Sequence, residues 1–178
     1  MNIKSIKNQL RAYSIMGKRE TTINHAFASA IAPNDIYEEK IVRKAIKILK
    51  QDPNNLSCVY CGAPAETWDH VFGLVKNHNF SGYGHVIGNL VPCCKKCNSE
   101  KGNRNWEVFI KTKPNYVNRS KMLLKYFKKY PPVITNYNYK KNVFSREIGK
   151  LETIKRKVFK LMKEADSIAI KIRQKIKK

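Results

Sequence analysis

Ile3, Ile6, Leu10, Tyr13 and Met16 recur every three or four residues, so the chain opens on an apolar stripe of helical period that Gly17 is expected to end. A second helix is predicted over residues 22–32, halted by Pro33. A third starts near Asn34-Asp35, carries Glu38 and Glu39 in its first turns, and places Ile41, Ala45, Ile48 and Leu49 on one face until Asp52-Pro53. The period then changes. Residues 66–71 and 86–92 are short runs of aromatic and β-branched residues, two strands of a hairpin with a long loop between them. Lys95 to Lys101 reads as a short helix stopping at Gly102, a residue favoured just past a helix end. Asn105 is placed to cap another helix whose Trp106 and Phe109 face inward, closed by Pro114.

A basic helix follows from Arg119 to Tyr130, ended by Pro131-Pro132. Residues 133–142 interleave Tyr137 and Tyr139 with lysines, which describes an extended linker or strand, or rings that stack on bases. In the last helix Leu151, Ile154, Val158, Leu161, Ala165, Ile168 and Ile172 make a seam of 3-4 spacing. Such a seam needs a partner: the N-terminal helices of the same chain, or the same helix of a second subunit, which would make a homodimer. The fold class expected is α+β and mainly helical.

Two C-x-x-C pairs, Cys58/Cys61 and Cys94/Cys97, flank the hairpin. Each pair turns two thiolates toward one point, and two pairs complete the tetrahedral shell of a structural zinc ion. A shell closed by four sulfurs leaves no position for water, so this metal holds the fold and does no chemistry. The gap between the pairs exceeds the usual spacing of about 15–20 residues, which requires the inserted hairpin to be structured. Zinc binding on the order of 10–16 kcal/mol is comparable to the stability of a whole domain. Cys93 is left over as an apolar filler, with an exchange of roles between Cys93 and Cys94 still open.

Charge adds a partner. The 178 residues carry a formal charge of +23, and its placement is uneven. Ten basic and five acidic residues precede residue 56; residues 56–104 hold five and three; the remainder holds twenty-one and five. A chain this basic points to a polyanion, with most of the affinity supplied by the flanks of the cysteine-bounded module. No apolar run approaches the length of about 18 residues that spans a bilayer, so no membrane is expected. Paired knuckle cysteines with an odd fifth thiol fit a reducing cytoplasm.

Between the knuckles stand Asp69-His70 and Asn89, and Asn98 follows the last cysteine directly. In this set the middle of the chain resembles the HNH endonucleases, whose fold is named ββα-metal. The resemblance implies that His70 is the general base, that Asp69 and Asn98 ligate a catalytic divalent ion, and that Asn89 holds the segment carrying His70. The last motif position is often histidine in that family, and Asn98 in its place suits Mg²⁺ or Mn²⁺ better than a transition metal. Phosphodiester hydrolysis needs a nucleophilic water, a base for its proton and positive charge on the phosphoryl oxygens. An imidazole with an ordinary pKa of about 6.5 can be that base at neutral pH. Lys101 and Arg104 are placed to clamp flanking phosphates, and His85 to touch one.

The expectation is therefore a cytoplasmic, metal-dependent endonuclease cutting double-stranded DNA to 5′-phosphate and 3′-hydroxyl ends, restriction-enzyme-like. Its parts would be an N-terminal helical arm (residues 1–55), a zinc-stapled HNH core (56–112) and a basic helical C-terminal region (113–178). A homing or phage-type nicking enzyme is the close alternative. A zinc-ribbon DNA-binding protein without catalysis is the alternative of another class, and an RNA substrate a third.

Overall fold

Asp166, near the far end of the chain, decides where the first long helix begins. In the computed structural model, which describes residues 3–132 and 145–176, the opening apolar stripe does not form one helix. It makes a 3-10 turn (Ile3–Ser5) and a four-residue helix α1 (Ile6–Gln9), with Ile3, Ile6, Leu10 and Tyr13 exposed. Helix α2 (Ile15–Ile31) then runs through Gly17 without a break. Its first turn is capped twice. Ser14 Oγ accepts from Gly17 N at 2.9 Å, and the Asp166 carboxylate accepts from Ile15 N at 2.7 Å and Met16 N at 3.0 Å. These are the amide groups a helix start leaves unpaired, so Gly17 sits in a first turn and ends nothing.

Packing gathers the chain into two compact units, Met1–Phe27 with Tyr139–Lys178, and Ala28–Asn138. The first unit holds helix α7 (Ser145–Ile176), whose seam divides into two columns. Leu151, Val158 and Ala165 are half-buried, while Ile154, Leu161 and Ile168 stand exposed. Residues 133–142, read from sequence as a linker or a stacking segment, lie outside the described residues, as do the last two lysines.

The second unit holds the hairpin. Helix α3 (Glu39–Ile48) starts later than its pattern suggests because Asn34 and Asp35 are used elsewhere. Asn34 bridges to His85, and the Asp35 carboxylate accepts from Ile87 N at 2.7 Å. Strands β1 (Thr67–His70) and β4 (Leu90–Cys93) pair antiparallel, with Thr67 opposite Cys93, Trp68 opposite Pro92, Asp69 opposite Val91 and His70 opposite Leu90. The long loop between them carries a small hairpin of its own, β2 (Val75–Lys76) and β3 (Asn79–Phe80), and a 3-10 turn (Ile87–Asn89) leads into β4.

Helix α4 (Lys95–Lys101) packs on β1 and stops at Gly102 as the sequence predicts. Helix α5 (Trp106–Ile110) is capped by Asn105 Oδ1, which accepts from Glu107 N and Val108 N. Helix α6 (Tyr116–Lys129) begins three residues before the expected start and ends ahead of Pro131. The core lies among these pieces: Ala45 and Ile46 of α3 and Leu49 just past its end, Val59 and Tyr60, Val71, Val91, Trp106, Phe109 and Ile110, and Leu123 and Tyr126. Burying each of the larger side chains contributes about 1.5–3 kcal/mol. Among the described residues no helix is long and apolar enough to cross a membrane.

Candidate active site

The two knuckles are built by different means and meet. Cys58 to Cys61 turns tightly, Gly62 N donating to Cys58 O at 2.8 Å, with Gly62 at φ +84°, where a side chain would be strained. The second knuckle is a helix start: Cys94 precedes α4, and its sulfur accepts from Cys97 N at 3.4 Å. The sulfurs of Cys58, Cys61, Cys94 and Cys97 all lie within 4.8 Å of one another, and all are free of disulfides. Cys61 Sγ and Cys94 Sγ are 3.7 Å apart. Tetrahedral ligation with bonds of about 2.3 Å separates sulfurs by roughly 3.8 Å, so the four are positioned to bind one metal ion. Cys93 stays outside the set. Its thiol donates to Cys94 O at 3.3 Å and accepts from Cys58 Sγ at 3.8 Å. Cys94, not Cys93, therefore belongs to the cluster.

Asn89, wholly buried in the 3-10 turn, ties the loop to the ribbon. Its Oδ1 accepts from Phe72 N at 2.8 Å, and its Nδ2 donates to Phe72 O and Gly84 O, both at 3.0 Å. Its backbone carbonyl accepts from Val71 N at 3.0 Å. One side chain thus fixes the residues just after His70 and the residue just before His85. The second histidine is also held by backbone, His85 N donating to Pro33 O at 2.8 Å and His85 O accepting from Asp35 N at 3.2 Å. A Cβ on Gly84 would strike the Pro33 carbonyl oxygen, so only glycine admits this approach. The result is that His70 Nε2 and His85 Nδ1 stand 3.0 Å apart, ring edge to ring face. His85, expected at a phosphate, is brought onto His70 itself.

Alternation along β1 sends Asp69 to the opposite face of the ribbon from His70. There its carboxylate meets Lys101 of α4, with Nζ at 3.2 Å from Oδ1 and 3.1 Å from Oδ2, and the Tyr60 hydroxyl, which donates to Oδ2 at 2.6 Å. Lys101 also donates to His70 O at 2.9 Å and is only 1% exposed. A lysine so enclosed does not reach a DNA phosphate, and that expectation gives way to an internal ion pair. Burial pushes the Asp69 carboxyl above its usual range, while Lys101 and Tyr60 pull it back. The Tyr60 phenol is pushed well above its own range, by burial and then by Asp69, and so stays protonated as a donor. Asn98 lies half-buried on α4, three residues before Lys101. Arg104 is exposed, its guanidinium 5.1 Å from the centre of the Phe109 ring.

Tyr60 carries no motif that marks it as a site residue. Its only sequence signal is a hydroxyl-bearing ring between two knuckle cysteines. The signal at Lys101 is its charge, and charge alone does not say whether a lysine faces inward.

No curated protein and no solved structure matches the chain. A family model described as HNH endonuclease matches residues 58–104, the span from the first knuckle cysteine to Arg104. That span holds the four gathered sulfurs, the two histidines and the buried asparagine between them, and it is similar to an HNH endonuclease domain.

Proposed function

We propose that this chain is a metal-dependent endonuclease that hydrolyses phosphodiester bonds of double-stranded DNA by water attack, leaving 5′-phosphate and 3′-hydroxyl ends, as a restriction enzyme does. The observation that carries the reading is the pair of imidazoles at 3.0 Å, each fixed through Asn89. In this reading His70 takes the proton of the attacking water and His85 holds its ring. Zinc is the metal proposed for the four cysteines, where it serves the fold. A reducing compartment such as the cytoplasm is the setting that keeps those thiols ready for metal.

Asp69 and Asn98 are the proposed ligands of a catalytic Mg²⁺ or Mn²⁺. The Lys101 ammonium now lies among Asp69 Oδ1 and Oδ2, His70 O and Gly102 O, all within 3.4 Å, so the ion would displace it and Asp69 would turn from Lys101 toward the His70 face and Asn98. An oxygen-lined place that holds one cation is chemically suited to a hard divalent ion, provided the lysine yields its carboxylate contacts. When bound, such an ion supplies positive charge to the phosphoryl oxygens. Arg104, exposed at the end of α4, is the proposed phosphate contact. Two copies joined along the exposed Ile154, Leu161 and Ile168 of α7 would give one site per strand. One copy acting alone would nick, as a homing or phage-type enzyme does.

The sequestering of Asp69 by Lys101 favours one second reading, a zinc-ribbon DNA-binding protein without catalysis. Nicking of supercoiled plasmid with Mg²⁺ or Mn²⁺ separates the two. The wild type is expected to nick, and His70→Ala to lose nicking by a hundredfold or more while keeping its metal and its DNA affinity. Equal and negligible cutting by both proteins would leave the binder.

A further inference from the structure

Trp68 stands on the same face of β1 as His70, two residues before it, and is 45% exposed. Behind its ring lies an apolar cavity of about 250 Å³. Val42 and Ile46 of α3, Leu90 of β4 and Tyr126 of α6 form its walls, and Tyr37, 75% exposed, stands at the rim with Trp68. Leu90 is also the residue directly across the ribbon from His70, so the cavity and the histidine pair adjoin on one surface. The Tyr126 hydroxyl donates to the carbonyls of Ile87 and Leu90, which leaves the ring face as what that residue offers the cavity.

We propose that this cavity receives one unstacked nucleobase of the DNA, held against the Trp68 and Tyr37 rings while a phosphate of the same strand lies at His70 and His85. The proposal rests on the nuclease reading and names how that nuclease engages its strand. Three observations select this occupant. The walls are apolar and aromatic, which suits the π-face of a base and rejects a phosphate. The chain as a whole carries +23, which favours a polyanion as partner, and no charged side chain lines the cavity to hold a phosphate inside it. The rim continues into the histidine pair: Trp68 and His70 are two strand residues apart, about 6.6–6.8 Å along β1, within the reach of a single nucleotide. A base inside a duplex cannot enter without leaving the stack, so single-stranded or locally opened DNA should enter most readily.

The two tryptophans of the chain give a readout that does not depend on cutting, because Trp106 is buried, at 4% exposure, and only Trp68 is open to a quencher. The full chain, in buffer without added Mg²⁺ or Mn²⁺, is titrated with a short single-stranded oligonucleotide and with an abasic strand of the same length. Acrylamide quenching of Trp68 is expected to fall with the base-bearing strand and to persist with the abasic one. Trp68→Ala should weaken binding of the base-bearing strand by about fivefold to a hundredfold, followed by anisotropy of a labelled strand, leave the abasic strand unchanged, and be largely restored by Trp68→Phe. Equal protection by both strands, or an equal loss of affinity for both in Trp68→Ala, overturns the proposal. So does a Trp68 already shielded in the free chain, which would mean that the chain covers the cavity itself. Plasmid nicking is scored apart from these. Base-dependent protection without cutting removes the nuclease reading and leaves the pocket; cutting with an indifferent Trp68 removes the pocket alone.

Discussion

An asparagine amide has two donor hydrogens and one acceptor oxygen, and Asn89 engages all three with backbone groups of Phe72 and Gly84. Neither aspartate nor alanine reproduces that set. Asn89→Ala should cost roughly 1–3 kcal/mol for each buried backbone group left without a partner. Nicking should fall further than the stability loss accounts for, because both histidine-bearing segments lose their common anchor. Urea unfolding beside a nicking assay checks this, and an Asn89→Ala protein as stable as wild type would refute the anchoring role. Part of this was readable beforehand. The motif implies Asn89 as the holder of the segment carrying His70, and its bonds to Phe72 are of the kind that role needs, whereas its grip on Gly84 has no signal in the sequence. The pairing of Asp69 with Tyr60 and Lys101 was also out of reach. Residues 60, 69 and 101 converge only when the knuckles close around the hairpin, and no periodicity encodes that meeting.

At the scale of elements, the two-residue period of β1 does what the motif letters conceal: it parts Asp69 from His70, one toward α4 and the other toward His85. The helix starts teach a related lesson. α4 and α5 begin where their sequences place them because Cys94 and Asn105 cap locally. The start of α2 departs from the sequence expectation because, beside the local Ser14, two of its first amides are capped by Asp166, more than a hundred residues away. The amides of Ile15 and Met16 and the hydroxyl of Ser14 hold that carboxyl below its usual range. A depressed folded-state pKa contributes stability above the ordinary Asp value of about 3.9, and that contribution is lost as pH falls through the lower folded value. Protection of the Ile15 and Met16 amides, taken relative to their intrinsic exchange rates, should therefore fall once the pH drops below about 4. Asp166→Asn should show fast exchange already at neutral pH, and an unchanged rate in that variant would remove the tether.

For the whole molecule, charge and chemistry are kept in different places. Residues 56–104 carry almost no net charge, while those after 104 hold twenty-one basic and five acidic side chains. Affinity for DNA should fall linearly with salt on logarithmic axes, by about 0.9 in slope per phosphate neutralised. Replacing exposed Lys157 and Lys163 of α7 by glutamine should flatten that slope and leave the bonds cut unchanged, as fragment-end sequencing would reveal. A slope indifferent to both would move the electrostatic contact off α7. The bracing of the first knuckle has a different implication. Arg119 of α6 donates to Val59 O at 3.1 Å and its guanidinium lies against Gly62, while Leu123 and Tyr126 complete the same core. The motif-bearing segment is thus no detachable cassette. Excised at its own borders it would lose the keystone of its metal clasp, and any transplant into another protein would have to bring the downstream helix with it.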